Sequence, residues 1–209
     1  MIILPPYDYE RQLYHKMPVK DRWIMNKLHV AETMGYNCGP SGTFPKHGTY
    51  CLRPTHNPRG MYNGSFYKVN YVGEGDDLIK PGYFWCEWFE GESTWSEYIN
   101  DRFSFGIGGT TDENGVLITT SGIEATPMPA QFKDISRYML IERIGGKIVE
   151  VAPRLMASAA RQSVIDNYRR DVDPSYDPQD VSQEWLSPSP SQLYSLPDGG
   201  FVWEEVPHE

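Results

Sequence analysis

The sequence predicts an α+β protein built mainly from antiparallel sheet. Short runs rich in aromatic and β-branched residues recur between glycine- and asparagine-bearing turns, as at 65–72, 83–89 and 103–107. Helical spacing of apolar residues is confined to two stretches, 22–34 and 154–170. Residues 171–209 hold nine acidic residues and neither Lys nor Arg, among many Pro and Ser. That composition reads as a tail rather than as part of a core.

Residues 1–20 lack periodic pattern and read as an extended lead-in. Asp21 is placed to cap a helix from Arg22 to about Met34, with Ile24, Leu28 and Ala31 as its apolar stripe and Gly35 as its stop. Turn residues fill 36–48. The run from Thr49 then reads as a buried strand ending at Arg53, with Pro54 stopping its ladder for want of an N–H. The following loop holds Asn57, Pro58, Arg59 and Gly60. Backbone donors and guanidinium groups in such a loop grip phosphate; a hairpin with two surface arginines is the other reading.

Strands follow at Ser65–Val72, Tyr83–Phe89 and Ser96–Ile99. Phe103–Ile107 and Val116–Thr120 flank a hairpin signal at Asn114-Gly115, with Gly106–Gly109 expected as a turn. Arg137–Ile144 and Lys147–Val151 form a hairpin around Gly145-Gly146. A second helix spans 154–170, and residues 192–206 suggest a terminal hairpin able to dock through Trp185, Tyr194, Phe201 and Trp203.

A chain of 209 residues with 39% hydrophobic content supports one large domain or two small lobes. The expected divisions are a lead-in (1–20), a main domain (21–170, with lobes 21–82 and 83–170) and the acidic tail (171–209). The net charge of −9 argues against a nucleic-acid partner. No apolar run is long enough for a membrane span, and no signal peptide is visible, so the expected compartment is the cytoplasm, or the host cytoplasm for a viral protein. Three spaced cysteines suit reduced thiols better than a disulfide frame. Of the histidines, His56 is the one to test, because it lies beside the loop.

Three pieces belong together: the helix with Lys27 followed by the Arg53-Pro54 strand and its loop; Trp85-Cys-Glu-Trp-Phe-Glu-Gly-Glu92; and Tyr138 to Arg154 with Glu142 and Glu150. In this order, over about residues 21–156, they resemble the ATP-grasp family. The resemblance implies two lobes of antiparallel sheet holding ATP and Mg²⁺ between them, and a ligase that activates a carboxylate as an acylphosphate for transfer to an amine or thiol. It makes Lys27 the helix lysine and Arg53 the phosphate-gripping residue. Asn57, Arg59 and Gly60 become the loop over the triphosphate. Glu87, Trp88, Phe89 and Glu90 become the adenine hinge, and Glu92 the ribose contact. Glu142 and Glu150 become the metal acids, and Arg154 the motif's arginine. Arg53, Arg59 and Arg154 are thereby the catalytic cations. The implied partners are a nucleotide and a small-molecule or peptide substrate, with a protein partner or a homo-oligomer also compatible. The compact size resembles forms found in phages.

The sequence departs from the family where Arg53 replaces Lys and Ala152 replaces a metal-binding Asn. The hairpin can also be argued from its own geometry. A three-residue turn, Gly145 to Lys147, sets Glu142 opposite Glu150 on an apolar face, where a divalent cation would relieve the repulsion. A two-residue turn sets them on opposite faces, and Arg143 or Arg154 could neutralise them instead. The reading from another class is a non-catalytic binding or structural protein that keeps the fold. A DNA mimic using the tail fits less well, because its charges lack regular spacing.

Overall fold

The computed structural model of the protein describes residues 14–43, 45–56, 67–72, 79, 81–111, 117–155, 169–176, 191–195 and 201–205. It is α+β: among the described residues there are two larger antiparallel sheets, a two-stranded hairpin and few helices. Its residues divide into two compact units, Met1–Glu90 with Ile148–Val151, and Gly91–Lys147 with Ala152–Glu209. No described helix is long and apolar enough to cross a membrane.

The first unit is organised on strands β1 (Cys38–Pro40), β2 (Gly48–Pro54), β3 (Tyr67–Tyr71) and β4 (Tyr83–Glu87), ordered β1-β4-β2-β3. Alternation along β2 sends Tyr50 and Leu52 to one face, where they pack with Trp85, Val69, Tyr71 and Ile79. The other face is covered by helix α1 (Lys27–Thr33), with Ala31, Phe84 and Cys86 packed against Leu28, Tyr36, Cys38 and Phe89. Pro54 does not end the pairing. It stands opposite Tyr83, and the next residue, Thr55, donates its N–H to Gly82 O at 2.9 Å. Pro54 thus occupies a position that donates no bond to β4, so its missing N–H costs nothing there.

The single helix expected over 22–34 is two pieces. A 3-10 helix covers Val19–Met25, Asn26 turns extended (φ −95°, ψ 105°), and α1 starts afresh at Lys27. Asn26, not Asp21, is the cap: its side-chain oxygen accepts the N–H groups of Leu28 (3.0 Å) and His29 (3.2 Å). A short polar side chain that bonds nearby N–H groups competes with helix continuation, which is why the break falls there. Gly35 ends α1 with φ 73°, and Tyr36 N–H returns to Ala31 O at 3.0 Å.

The second sheet takes β5 (Ser93–Ile99), β6 (Arg102–Thr111), β7 (Leu117–Gly122), β8 (Tyr138–Ile144) and β9 (Lys147–Ala152) in the order β7-β6-β5-β8-β9. Residues 106–109, expected as a turn, run inside β6. The tight turn lies instead at Asn100-Asp101, with φ 49° and 62°, two residue types that tolerate this region. Ile107, Leu140 and Ala152 form one core cluster with Trp95 and Phe105, and Ile99, Leu155 and Tyr176 another with Tyr138 and Val172. The terminal hairpin is present as β10 (Ser191–Ser195) paired with β11 (Phe201–Glu205). The Asn114-Gly115 turn, residues 65–66, most of the helix expected over 154–170 and the aromatic contacts of the tail lie outside the described residues.

Candidate functional site

The first unit gathers three of the residues nominated above. Lys27 opens α1, and its backbone N–H donates to Thr55 O at 2.8 Å, which ties the start of the helix to the end of β2. On β2, Arg53 alternates with Leu52 and therefore takes the α1 face. Lys27 Nζ lies 2.9 Å from Glu150 Oε2, and Arg53 Nη2 donates to the same oxygen at 3.1 Å. The three side chains are 9%, 15% and 17% exposed, so they are largely removed from water yet still reachable.

These three groups sum to one positive charge, and partial burial strengthens its field. Two neighbours register it. Burial pushes the Cys51 thiol pKa up, while Arg53 and Lys27 pull it down. Burial pushes the His56 pKa down, and Lys27 adds to that. The His56 ring meets the Thr55 hydroxyl at 3.2 Å. The arrangement can hold an anion, because guanidinium and ammonium donors already point at one oxyanion position.

The hinge residues continue from β4. Glu87 donates its N–H to Asn37 O (2.8 Å) and accepts the Asn37 N–H on Oε1 (3.1 Å). Trp88 donates its N–H to Thr49 O at 3.2 Å, and Lys68 Nζ sits 4.6 Å above its ring. Two hinge donors are thus engaged within the unit. Phe89 packs edge-on against Tyr36, with ring centroids 4.8 Å apart, and Glu90 is exposed. The loop residues Asn57, Arg59 and Gly60 lie outside the described residues.

In the second unit Glu92 is exposed, and its carbonyl accepts the Gly145 N–H at 2.9 Å. Its Oε1 would lie 2.8 Å from a Cβ at Gly108, so the absence of a side chain there leaves the carboxylate its place. Glu142 stands opposite Trp95. Arg143 donates to Ser96 Oγ (3.0 Å) and the Tyr98 hydroxyl (3.2 Å), on the face of β8 away from Glu142. That placement removes Arg143 as the neutraliser of Glu142. Arg154 is buried, with its backbone N–H donating to Ala152 O.

The turn between β8 and β9 is the two residues Gly145 and Gly146, with φ 55° and 78°, not the three-residue turn from which the opposed acids were argued. Two successive positive φ values suit glycine and give a hairpin turn that matches strand twist. A two-residue turn does not set Glu142 opposite Glu150, so the expected pair of opposed acids is not formed.

The strongest polar structure in the second unit was not anticipated. Arg169 meets Glu97 with both ends of its fork, Nη2–Oε1 at 2.7 Å and Nε–Oε2 at 3.1 Å, and Nη1 donates to the Tyr176 hydroxyl at 3.0 Å. Both charged side chains are essentially inaccessible, 1% and 0% exposed. The carboxylate and the Tyr176 hydroxyl hold the guanidinium pKa above its ordinary value against the opposing effect of burial. Close by in sequence, Asp173 accepts bonds from Arg137, Asn100 and Ser175. A charged residue between Trp95 and the Tyr98-Ile99 pair of β5 was the available signal for Glu97. Nothing local pointed to Arg169.

No protein-family model and no curated protein sequence matches the chain. Among solved structures it is similar to a protein assigned to the ATP-grasp superfamily from Archaeoglobus fulgidus (TM-score 0.47, 8% identity, 73% of this chain and 52% of that one). It is also similar to the ATP-grasp ligase PsnB complexed with a phosphomimetic variant of its minimal precursor, Mg and ADP (TM-score 0.46, 12% identity, 74% and 60%). A third is D-alanine–D-alanine ligase from Bacillus anthracis (TM-score 0.40, 13% identity, 66% and 59%). The chain spans about half to three fifths of the length of these proteins.

Proposed function

We propose that the protein is an ATP-grasp-type ligase and that Lys27, Arg53 and Glu150 form its phosphate-and-metal site. One observation carries the reading: two cations from different elements meet on one carboxylate oxygen, and all three residues are those nominated by motif order. The donor set fits the groups it would hold. The Glu150 oxygen occupies the place of a phosphate oxygen between an ammonium and a guanidinium. With those donors turned to a nucleotide phosphate, the Glu150 carboxylate is available to Mg²⁺, which is usually bound through one or two carboxylates together with phosphates. The metal would neutralise charge developing on the transferred phosphoryl group.

In the reaction that the resemblance implies, a substrate carboxylate attacks the γ-phosphorus and ADP leaves; an amine or thiol then attacks the acylphosphate and phosphate leaves. Lys27 and Arg53 would hold the phosphates, with Asn57, Arg59 and Gly60 as the covering loop. Phe89 and Glu90 would supply the adenine contacts, since the N–H groups of Glu87 and Trp88 are engaged. The ribose contact (Glu92), second acid (Glu142) and further cation (Arg154) that the resemblance implies lie in the second unit and are not part of this proposal. The carboxylate substrate would be a small molecule or a peptide, and the working compartment the cytoplasm.

Titration calorimetry with ATP, with and without Mg²⁺, tests this on wild type and Glu150→Gln. Mg-dependent binding that weakens ten- to hundredfold in the variant is the expected result; no ATP binding by wild type under either condition would sink the proposal. A second reading has its own observation. Ala152, where the family has a metal-binding Asn, is buried in the cluster with Ile107 and Leu140, so this position supplies no ligand. A non-catalytic nucleotide or protein binder would bind ATP without releasing ADP when offered carboxylates and amines.

A further inference from the structure

All three cysteines of the chain stand in one row across the first sheet. Cys86 on β4 lies opposite Cys38 on β1 and opposite Cys51 on β2. Cross-strand partners share a face, and Cys38 and Cys86 pack in the same cluster beneath α1. The two pairings differ in kind. Glu87 N–H to Asn37 O (2.8 Å) and Ser41 N–H to Tyr83 O (3.2 Å) mark 37/87 and 41/83 as hydrogen-bonded pairs. Alternation then makes Cys38/Cys86 a non-hydrogen-bonded pair. Trp88 N–H to Thr49 O (3.2 Å) and Thr55 N–H to Gly82 O (2.9 Å) make Cys51/Cys86 a hydrogen-bonded one. Cα atoms are about 4.5 Å apart in the first kind and about 5.5 Å in the second, with side chains closer in the first. Both Cα separations are compatible with a disulfide, but the bond needs Cβ atoms about 3.8 Å apart, and the closer side chains of the first kind favour it.

We infer that Cys38 and Cys86 are a latent disulfide pair, closed by exchange with a low-molecular-weight disulfide. The Cys38 thiolate attacks one sulfur of the small disulfide, forming a mixed disulfide and releasing one small thiolate. The Cys86 thiolate then attacks the Cys38 sulfur and releases the second. Two protein thiols are oxidised, one small disulfide is reduced to two thiols, and both protons leave with them. Cys38 goes first because it is half-buried on the edge strand, whereas Cys86 is buried. Burial pushes both thiols up, Cys38 to about 11 with help from Glu32 and Glu87, and Cys86 to about 12 with help from its cysteine neighbours. Exchange is therefore slow at neutral pH and accelerates about tenfold per pH unit while the thiolate fraction limits it. The bond would fix the three-residue edge strand β1 to β4. This inference does not depend on the nucleotide reading.

The test is incubation of the folded full chain with oxidised glutathione, denaturing alkylation and mapping of disulfide-linked peptides. The Cys38–Cys86 peptide is expected in about tenfold excess over Cys51–Cys86, the preference following from strand geometry. Cys51→Ser should retain the bond and Cys38→Ser should lose it, both judged on variants whose circular dichroism matches wild type. The same oxidation in urea should give mixed pairings among the three. A native preference for Cys51–Cys86, equal pairing, or no intramolecular bond at excess oxidant would overturn the inference.

Discussion

Glu97–Arg169 in the second unit and Lys27–Glu150–Arg53 in the first are both ion clusters among largely buried side chains, but they are balanced differently. Arg169 and Glu97 meet fork to fork, one charge on one, with Tyr176 taking a remaining guanidinium N–H, and both side chains are sealed from water. Lys27 and Arg53 crowd one oxygen of one carboxylate and remain partly accessible. A matched, sealed pair satisfies itself and holds elements together. Two cations converging on one reachable oxygen mark a place that an anionic ligand's oxygen could take. The difference separates a structural cluster from a candidate binding site without any appeal to family.

The largest expected effect tests the structural side. Glu97→Ala strands a buried guanidinium and should cost about 3–5 kcal/mol in denaturant unfolding. Replacing both members with apolar residues, Glu97→Leu with Arg169→Met, should recover most of that loss, because the sealed pair is not itself a large source of stability. A Glu97→Ala loss under about 1 kcal/mol would mean the pair is not sealed, and the contrast would fail.

The second test addresses the binding side. Glu150→Gln keeps the shape and removes the charge. Mg-dependent ATP affinity should fall ten- to hundredfold, about 1.4–2.7 kcal/mol, while unfolding stability changes far less than in Glu97→Ala. Equal stability losses in the two variants would make the first cluster structural too.

A smaller effect is expected at the start of α1. Asn26→Ala removes the cap that fixes where Lys27 begins the helix, and should lower stability by about 1 kcal/mol in the same unfolding assay. If Lys27 serves the ligand, ATP affinity should weaken with it.

The smallest effect is confined to acid. The Asp173 carboxyl is held down to about 2, first by the Ser175 hydroxyl and then by Arg137. An unfolded Asp takes up its proton near pH 4. The folded state keeps the charge to lower pH, so this contribution is complete above about pH 4 and is lost as pH falls towards 2. Melting temperature against pH should show a shallower acid limb for Asp173→Asn, with little change in slope at neutral pH.

The legible part of the fold was the strands. Tyr50 and Leu52 alternate with Cys51 and Arg53 as their sequence positions require, and β2, β4 and β8 fell within two residues of their expected runs, whereas β6 ran on through the turn expected at 106–109. Punctuation was less legible. Asn26 broke a helix whose apolar stripe ran straight through it, because the stripe records burial whereas the break records a side chain competing for backbone N–H groups. The Gly145-Gly146 turn could be counted as two or three residues, and that choice decided the register argument.

The chain by itself nominated three residues that the structure brings together: Lys27 on a helix, Arg53 closing the apolar run of a strand, Glu150 in the strand after a double glycine. Those are local facts of spacing, set by periods of about two and 3.6 residues. Only the tertiary structure decided that Arg53 meets Glu150, 97 residues away, and that Glu97 meets Arg169, 72 residues away. Contacts at such separations follow from sheet order and packing. No local pattern encodes them, because their stabilisation exists only once both segments are removed from water together.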